Sequence, residues 1–187
     1  MMRTSKCWLT VLIVLAVGAT NLMNVSPATA ASAAEIEKSV NSATKKLIAK
    51  HPWAKELAEK AKGVLVFPSV VKGGFMVGGQ FGEGALRKQG KTVAYYNTVT
   101  ASYGLQAGLQ RYGYALFFMT DSALAYLDRS DGWELGTGPS VVIVDKGMAG
   151  GMSTTTASSD VYAFFFDQEG LMAGLGLQGT KITRIRK

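Results

Sequence analysis

The hydrophobic positions of residues 35–50 recur with the period of a helix. Apolar side chains occur three or four residues apart and would therefore share one helical face: Ile36, Val40, Ala43 and Leu47. The pattern predicts an amphipathic helix over this segment. Pro52 suits the first turn of a second helix over residues 53–62, and Gly63 is expected to cap its C-terminus.

Farther along the chain the hydrophobic runs become short, and turn residues separate them, as is typical of strands. The predicted strands are residues 64–67, 72–87, 92–96, 101–109, 112–119, 133–135, 140–144, 161–166 and 171–185. Pro68 is expected to end the first of them. Turns are predicted at residues 89–91 and, as a tight hairpin, 167–170, and a loop at residues 146–159. Thr120 is expected to cap a short helix over residues 121–127.

A glycine pattern occurs three times within these strands. Residues 74–79, 104–109 and 170–175 each carry glycines four residues apart with mainly apolar side chains between them. Since alternate residues of a strand share a face, each copy gives a strand with one bulky face and one bare face. Glycine inside a strand marks strong curvature or the close approach of another backbone. The predicted fold class is α+β: N-terminal amphipathic helices, then a strongly coiled, mainly antiparallel, glycine-rich β-sheet forming a sandwich or a partly closed barrel.

Residues 1–30 have the pattern of a secretory signal peptide. Arg3 and Lys6 precede an apolar run at residues 8–17, which is too short to span a membrane stably. The small-x-small sequence Ala-Thr-Ala ends at Ala30, after which we expect cleavage. The predicted location is the bacterial periplasm, peripheral to a membrane. A retained signal anchor is the alternative.

Cleavage after Ala30 would leave residues 31–187 as one domain, helical over residues 31–62 and glycine-rich β-sheet over residues 63–187. Residues 31–33, Ala-Ser-Ala, are a second candidate cleavage sequence.

The charge of the predicted mature chain lies mainly at its two ends. Without Arg3 and Lys6, 18 basic residues stand against 13 acidic ones, a net charge of +5. Residues 31–63 carry +3, residues 64–180 carry −2 and residues 181–187 carry +4. A basic bias attracts anionic surfaces such as phospholipid head groups. The alternative is a solvated surface without a partner. Nucleic acid is not expected as a partner of an exported protein.

The residue types that carry catalysis and metal binding are sparse. His51 is the one histidine, and it lies beside a proline at a predicted helix start. No serine lies in a Gly-x-Ser-x-Gly sequence, and Asp128, Asp131 and Glu134 do not have calcium-loop spacing. We therefore predict no catalytic residue, metal or cofactor, and no enzyme. The aromatic runs near residues 112–118 and 162–166 favour core strands over a lipid pocket.

Several segments, in order and spacing, resemble the SYLF domain family over about residues 54–185. They are residues 61–68, 71–75, 82–84, 101–108, 120–124 and 170–175, with Gly179 after the last. The resemblance implies a non-catalytic domain that binds phospholipids, phosphoinositides in eukaryotic members, and actin in fungal members. Because export is predicted, we do not expect actin as a partner. We expect an anionic phospholipid at a membrane of the cell envelope.

In eukaryotic members the basic, amphipathic N-terminal part is implicated in membrane contact. The corresponding candidate lipid-binding residues here are Lys45, Lys46, Lys50, Lys55, Lys60 and Lys62, and Lys72 matches the family's Lys-x-Gly-Phe segment. The alternative function is a structural or protein-interaction module of the envelope without a lipid ligand. Its glycine-rich faces would then pack against a partner or a second copy of the chain.

Overall fold

In the part of the chain that the structure describes, two helices precede a six-stranded sheet. The computed structural model describes residues 30–129, 131–144, 159–170 and 179–187, without the side chains of residues 75–77, 102–107 and 170. The helices are α1 (Ala33–Lys50), α2 (Trp53–Lys60) and α3 (Asp121–Ala125), the last continued by a 3₁₀ turn at Tyr126–Asp128. The strands are β1 (Gly63–Lys88), β2 (Lys91–Phe118), β3 (Trp133–Glu134), β4 (Val141–Val144), β5 (Val161–Gly170) and β6 (Lys181–Ile185).

Helix α1 confirms the predicted amphipathic helix and begins two residues earlier. Ser32 caps it: its hydroxyl accepts a hydrogen bond from the Glu35 N–H, and the Glu35 carboxylate accepts one from the Ser32 N–H. The four apolar residues of the predicted face are buried. The short helix α3 is likewise confirmed, with Thr120 accepting from the Ala123 N–H at 3.2 Å.

Gly63 does not cap α2, so that prediction was wrong. The helix ends at Lys60, and Ala61 is already extended. The N–H of Lys62 then donates to the carbonyl of Phe118 at 2.8 Å, which brings the chain into the sheet. Gly63 is thus the first residue of β1.

The predicted strands of residues 64–119 join into one long hairpin. Gln89 and Gly90 form its turn, both with positive φ, as a two-residue hairpin turn requires. Pro68 does not end a strand, contrary to expectation. It lies at a register irregularity between Phe67 and Val70, where its missing N–H is tolerated.

Strand β2 organises the sheet, which has the order β3-β6-β2-β5-β4 with β1 also paired to β2. All pairs are antiparallel except β4 with β5. The sheet curls into a half-barrel, so the fold class is confirmed and the partly closed barrel is the alternative found. Residues 31–187 form one compact unit.

The predicted hairpin at residues 167–170 is wrong. These residues continue β5, because Glu169 and Gly170 pair with β2. Asp167 has a φ of 49° at a register irregularity, which is a bulge rather than a chain reversal. Of the predicted strand 171–185, residues 181–185 are a strand, Gly179 and Thr180 are not, and residues 171–178 lie outside the described residues. Most of the third glycine copy and most of the predicted loop 146–159 also lie outside the described residues.

Glycines permit a close approach of the backbone at Gly82 and Gly84, which lie just beyond the first glycine copy. The first two copies pair with each other, Gly74 opposite Gly108. A Cβ atom at Gly82 would lie 2.7 Å from a methyl of Val70 and 2.9 Å from the carbonyl of Ser69. A Cβ atom at Gly84 would collide with the carbonyl of Val66. The two ends of β1 therefore pack directly on each other.

The sheet has one core on each face. The outer face, which carries α1 and α2, buries residues such as Val66, Ala85, Phe117 and Phe164 under the helices. The inner face encloses a second core that includes Leu65, Phe67, Tyr114, Trp133 and Ile182. The aromatic runs of β2 and β5 are shared between these cores and are almost fully buried, as predicted.

Candidate functional site

Helix α1 packs on the sheet instead of standing free. Its apolar residues are at most 5% exposed and contact the core of the outer face. The helix therefore has no apolar face left to insert into a membrane while it is packed in this way. Only its polar side remains in solvent.

Two of the seven candidate lysines are brought together by a carboxylate. The Nζ atoms of Lys46 and Lys50 lie 2.8 and 2.9 Å from the two carboxylate oxygens of Asp167 on β5. Hydrogen bonds from Lys46 and Lys50 lower the pKa of Asp167, and the same contact raises the pKa of Lys46. These two charges fasten one side of α1 to the sheet.

The opposite side of α1 is fastened by Glu37. Its carboxylate accepts hydrogen bonds from Arg87 at 2.9 Å and from the phenol of Tyr95 at 3.1 Å. The Arg87 side chain is 15% exposed, so this ion pair is more buried than the one at Asp167.

The other candidate lysines are dispersed. Lys62 lies 3.8 Å from Asp121. Lys45, Lys55 and Lys60 are exposed, with no carboxylate of the described residues within 4.0 Å. Lys72 is half-buried on the inner face, in register with Gln110. The described residues therefore do not gather the predicted lysines into one basic surface.

A different surface stands out on the outer face beyond the helices. Four large apolar residues are exposed there by 39% to 68%; we call them the apolar strip: Val71, Phe81, Val99 and Leu109. Phe81 is paired with Val99, and Leu109 lies across Gly73. The basic residues Arg111 and Lys181, both exposed, are the direct cross-strand neighbours of Val71 and Val99.

At this strip the sheet buries polar side chains and exposes apolar ones, the reverse of the usual arrangement. Gln80, Thr98 and Gln110 are at most 6% exposed, although each is the chain neighbour of an exposed apolar residue. Their side chains, like that of Thr180, face inward, where Gln80 donates to Thr100 at 2.6 Å and to Thr180 at 3.1 Å.

The same inner polar cluster includes two buried tyrosines. Tyr114 donates to Thr98 at 2.7 Å, and Tyr112 donates to Gln80. Burial raises the pKa of Tyr112 to about 12, so both phenols remain protonated donors at neutral pH. Gln80, Thr98 and Thr180 are thus hydrogen-bonded inside while apolar side chains face solvent, and Gln110 Oε1 is buried with no hydrogen-bond partner among the described residues.

The sequence carried a signal for this inversion that the strand prediction did not use. In β2 the residues 98 and 110 are polar, whereas Val99 and Leu109 beside them are apolar. The alternation was visible, but its direction was not, because the side of the sheet that α1 covers cannot be read from the strands alone.

A cavity beneath the helices is a weaker candidate. It measures about 140 Å³ and is lined by apolar residues of α1, α2 and the hairpin, with Arg87 and Gln89. Small-molecule sites usually measure roughly 300–1,000 Å³, so we assign it no ligand.

The described residues contain no group of three or more His, Cys, Asp or Glu side chains that could hold a metal ion. Within the same ranges, no helix has both the length and the apolar character needed to cross a membrane.

Residues 99–187 match the family model Ysc84, described as Las17-binding protein actin regulator. This segment is similar to that family, in agreement with the resemblance to the SYLF domain. The SYLF match begins at Val99 of the strip and includes Leu109, Arg111 and Lys181. It spans a little less than half of the chain and leaves out α1, α2 and β1. No match to a curated protein was found.

Proposed function

We propose that this chain is a non-catalytic, peripheral binder of anionic phospholipid surfaces and that the apolar strip is its contact surface. One observation carries the proposal: the sheet exposes apolar side chains and buries polar ones at the strip, with Arg111 and Lys181 in register beside it. Exposed apolar side chains with basic neighbours suit the boundary between head groups and acyl chains.

The expected affinity is modest. Each basic residue close to an anionic leaflet contributes roughly 1 kcal/mol, and this contribution falls as salt screens it. Insertion of Phe81 and Leu109 would add the larger, salt-independent share, at about 0.8 kcal/mol for each buried methylene. The exposed Lys45, Lys55 and Lys60 would add long-range attraction without insertion.

The SYLF segment supports lipid binding as a family property but does not identify the lipid. The description of the matched family concerns Las17 and actin. We do not extend those partners to this chain, because its leader predicts export from a bacterial cell.

Co-sedimentation with vesicles tests the proposal. Phosphatidylcholine vesicles with an increasing fraction of phosphatidylglycerol would be used at low and high salt. We expect binding that rises with the anionic lipid, weakens in salt, and is largely lost in the double variant Phe81→Ser/Leu109→Ser. Arg111→Gln/Lys181→Gln should retain residual binding that depends less on salt.

Matched controls lie elsewhere on the molecule. Ile143 on β4 is 40% exposed, and Ile143→Ser should leave binding unchanged. A triple variant, Lys45→Gln/Lys55→Gln/Lys60→Gln, should weaken binding less than the strip variants do. The reverse order would place the contact on the helices, and no binding at any composition would favour the envelope interaction module.

A further inference from the structure

The main chain of Ala31 is held at both of its polar atoms. Its N–H donates to Glu83 Oε2 at 3.1 Å, and its carbonyl accepts from Lys187 Nζ at 2.8 Å. Lys187 Nζ also donates to Glu83 Oε1 at 2.8 Å. The side chains of Glu83 and Lys187 are only 12% and 10% exposed. Ala31, the residue that would follow the predicted cleavage, is thus bound through its main chain by two largely buried charged side chains.

The carboxylate of Glu83, near the start of α1, has one cationic partner, whereas that of Asp167, near the end of α1, has two. Asp167 is more exposed, yet it receives two ammonium groups, from Lys46 and Lys50. Glu83 is more buried and receives one ammonium group and one neutral amide N–H. A buried carboxylate is stabilised best when each of its oxygens has a charged donor.

We propose that the Ala30–Ala31 bond is the maturation site and that the released α-ammonium group of Ala31 becomes the second cation on Glu83. Hydrolysis by a protease specific for small-x-small sequences consumes one water molecule. Ala30 leaves with a carboxylate, and the new amine of Ala31 takes up a proton. The N–H that now reaches Glu83 is thereby replaced by a charged donor at the same position.

The structure also separates the two candidate cleavage sequences. Cleavage after Ala33 would remove Ala31 and Ser32, and with them the Glu83 contact and the N-terminal cap of α1. Cleavage after Ala30 retains both. Only the first sequence yields a terminus that the folded protein can bind.

The first test is the N-terminus of the full chain after expression and export in a bacterial host. Terminal sequencing by mass spectrometry should find Ala31. A chain that begins at Ala34, or that retains its leader, would overturn the proposal.

The second test uses the processed chain, residues 31–187, with a free or an acetylated Ala31. At about pH 6.5 the free amine is protonated, since its ordinary pKa is near 8. Acetylation should lower the melting temperature by roughly 2–4 °C in the native sequence. It should have no such effect in Glu83→Gln, whereas the control Asp167→Asn should keep the full effect.

An equal effect of acetylation with and without Glu83 would overturn the proposal. If Glu83→Gln does not fold, amine reactivity in the native protein decides the question. The Ala31 amine should react with a limiting acylating reagent more slowly in the folded chain than in the urea-unfolded chain. Equal rates would show that the amine is not bound.

Discussion

The two faces of the β1–β2 hairpin are closed in different ways. On the inner face, the backbone at Gly82 and Gly84, near one end of β1, lies directly against residues near its other end. This approach is possible because the two glycines have no Cβ atom. On the outer face, side chains of α1 cover one part of the hairpin, and the apolar strip remains uncovered. A backbone segment held in a sheet cannot move to accommodate a substitution in contact with it. Side chains packed against a substituted residue can shift in part, and an exposed residue has no neighbours that need to move. Tolerance to substitution should therefore increase in that order.

The largest loss is expected for Gly84→Ala. The new methyl group would collide with the carbonyl of Val66, and neither strand segment can move without breaking its pairing. We expect a loss of about 3 kcal/mol or more in the free energy of unfolding, measured by urea denaturation. Gly79→Ala is the control, because the added Cβ atom would lie 3.3 Å from its nearest neighbour, the carbonyl oxygen of Thr100. Similar stabilities of the two variants would contradict the close approach.

Removing a side chain under the helix should cost somewhat less. Leu47→Ala leaves a cavity in the outer core, where Leu47 is 2% exposed. Such substitutions cost roughly 2–5 kcal/mol, depending on how far the site collapses, and we expect a value near the lower end of this range. Ile48→Ala, at a half-buried neighbour, should cost less. Equal losses in the free energy of unfolding for the two variants would mean that α1 does not pack on the sheet through Leu47.

The two sides of α1 should respond unequally to loss of charge. Glu37→Gln removes the ionised partner of Arg87, whose Nε is buried and has no hydrogen-bond partner among the described residues. We expect a loss of roughly 1–3 kcal/mol in the free energy of unfolding. Glu59→Gln on the exposed side of α2 is the control and should be neutral.

Asp167→Asn should cost less than about 1 kcal/mol at neutral pH, because its lysine partners are more than half exposed. Since those lysines lower the pKa of Asp167, its contribution is complete above the ordinary carboxyl pKa, near 4. The contribution is lost as the pH falls through the lowered pKa. Denaturation of both proteins across the acid range should show the difference shrinking, and a difference that grows in acid would contradict this ion pair.

The smallest effect on stability is expected at the strip. Phe81→Ser removes a side chain that is 52% exposed, so the free energy of unfolding should change by no more than about 0.5 kcal/mol. Its vesicle binding should nevertheless be strongly reduced. A large loss of stability would show that Phe81 packs within the molecule.

Local sequence patterns predicted the helices, the fold class and the tight curvature. Period and capping identified α1, and the glycine spacing indicated the curled sheet, whereas the close approach lies at Gly82 and Gly84, outside the three glycine copies. The same patterns divided the hairpin too finely, because Pro68 and the bulge at Asp167 resemble chain ends when their cross-strand partners are unknown.

The candidate surface could not be predicted for a related reason. The lysines of α1 and α2 were conspicuous in the sequence, but Lys46 and Lys50 meet a carboxylate that lies more than a hundred residues away. Phe81 and Leu109 lie in predicted strands, and only the position of α1 shows that their part of the outer face is left uncovered. Side-chain periodicity gives two faces and does not say which one meets solvent.

The two-residue turn at Gln89 and Gly90 also bears on the order in which the molecule is expected to fold. Pairing that begins at Lys88 and Lys91 could extend outward, one pair after another, to Gly63 and Phe118. Each step closes only a short additional loop, so little chain entropy is lost before the next contact forms. We expect the hairpin to form first and to serve as the template on which β5 and β6, which pair with β2 from far along the chain, are later added.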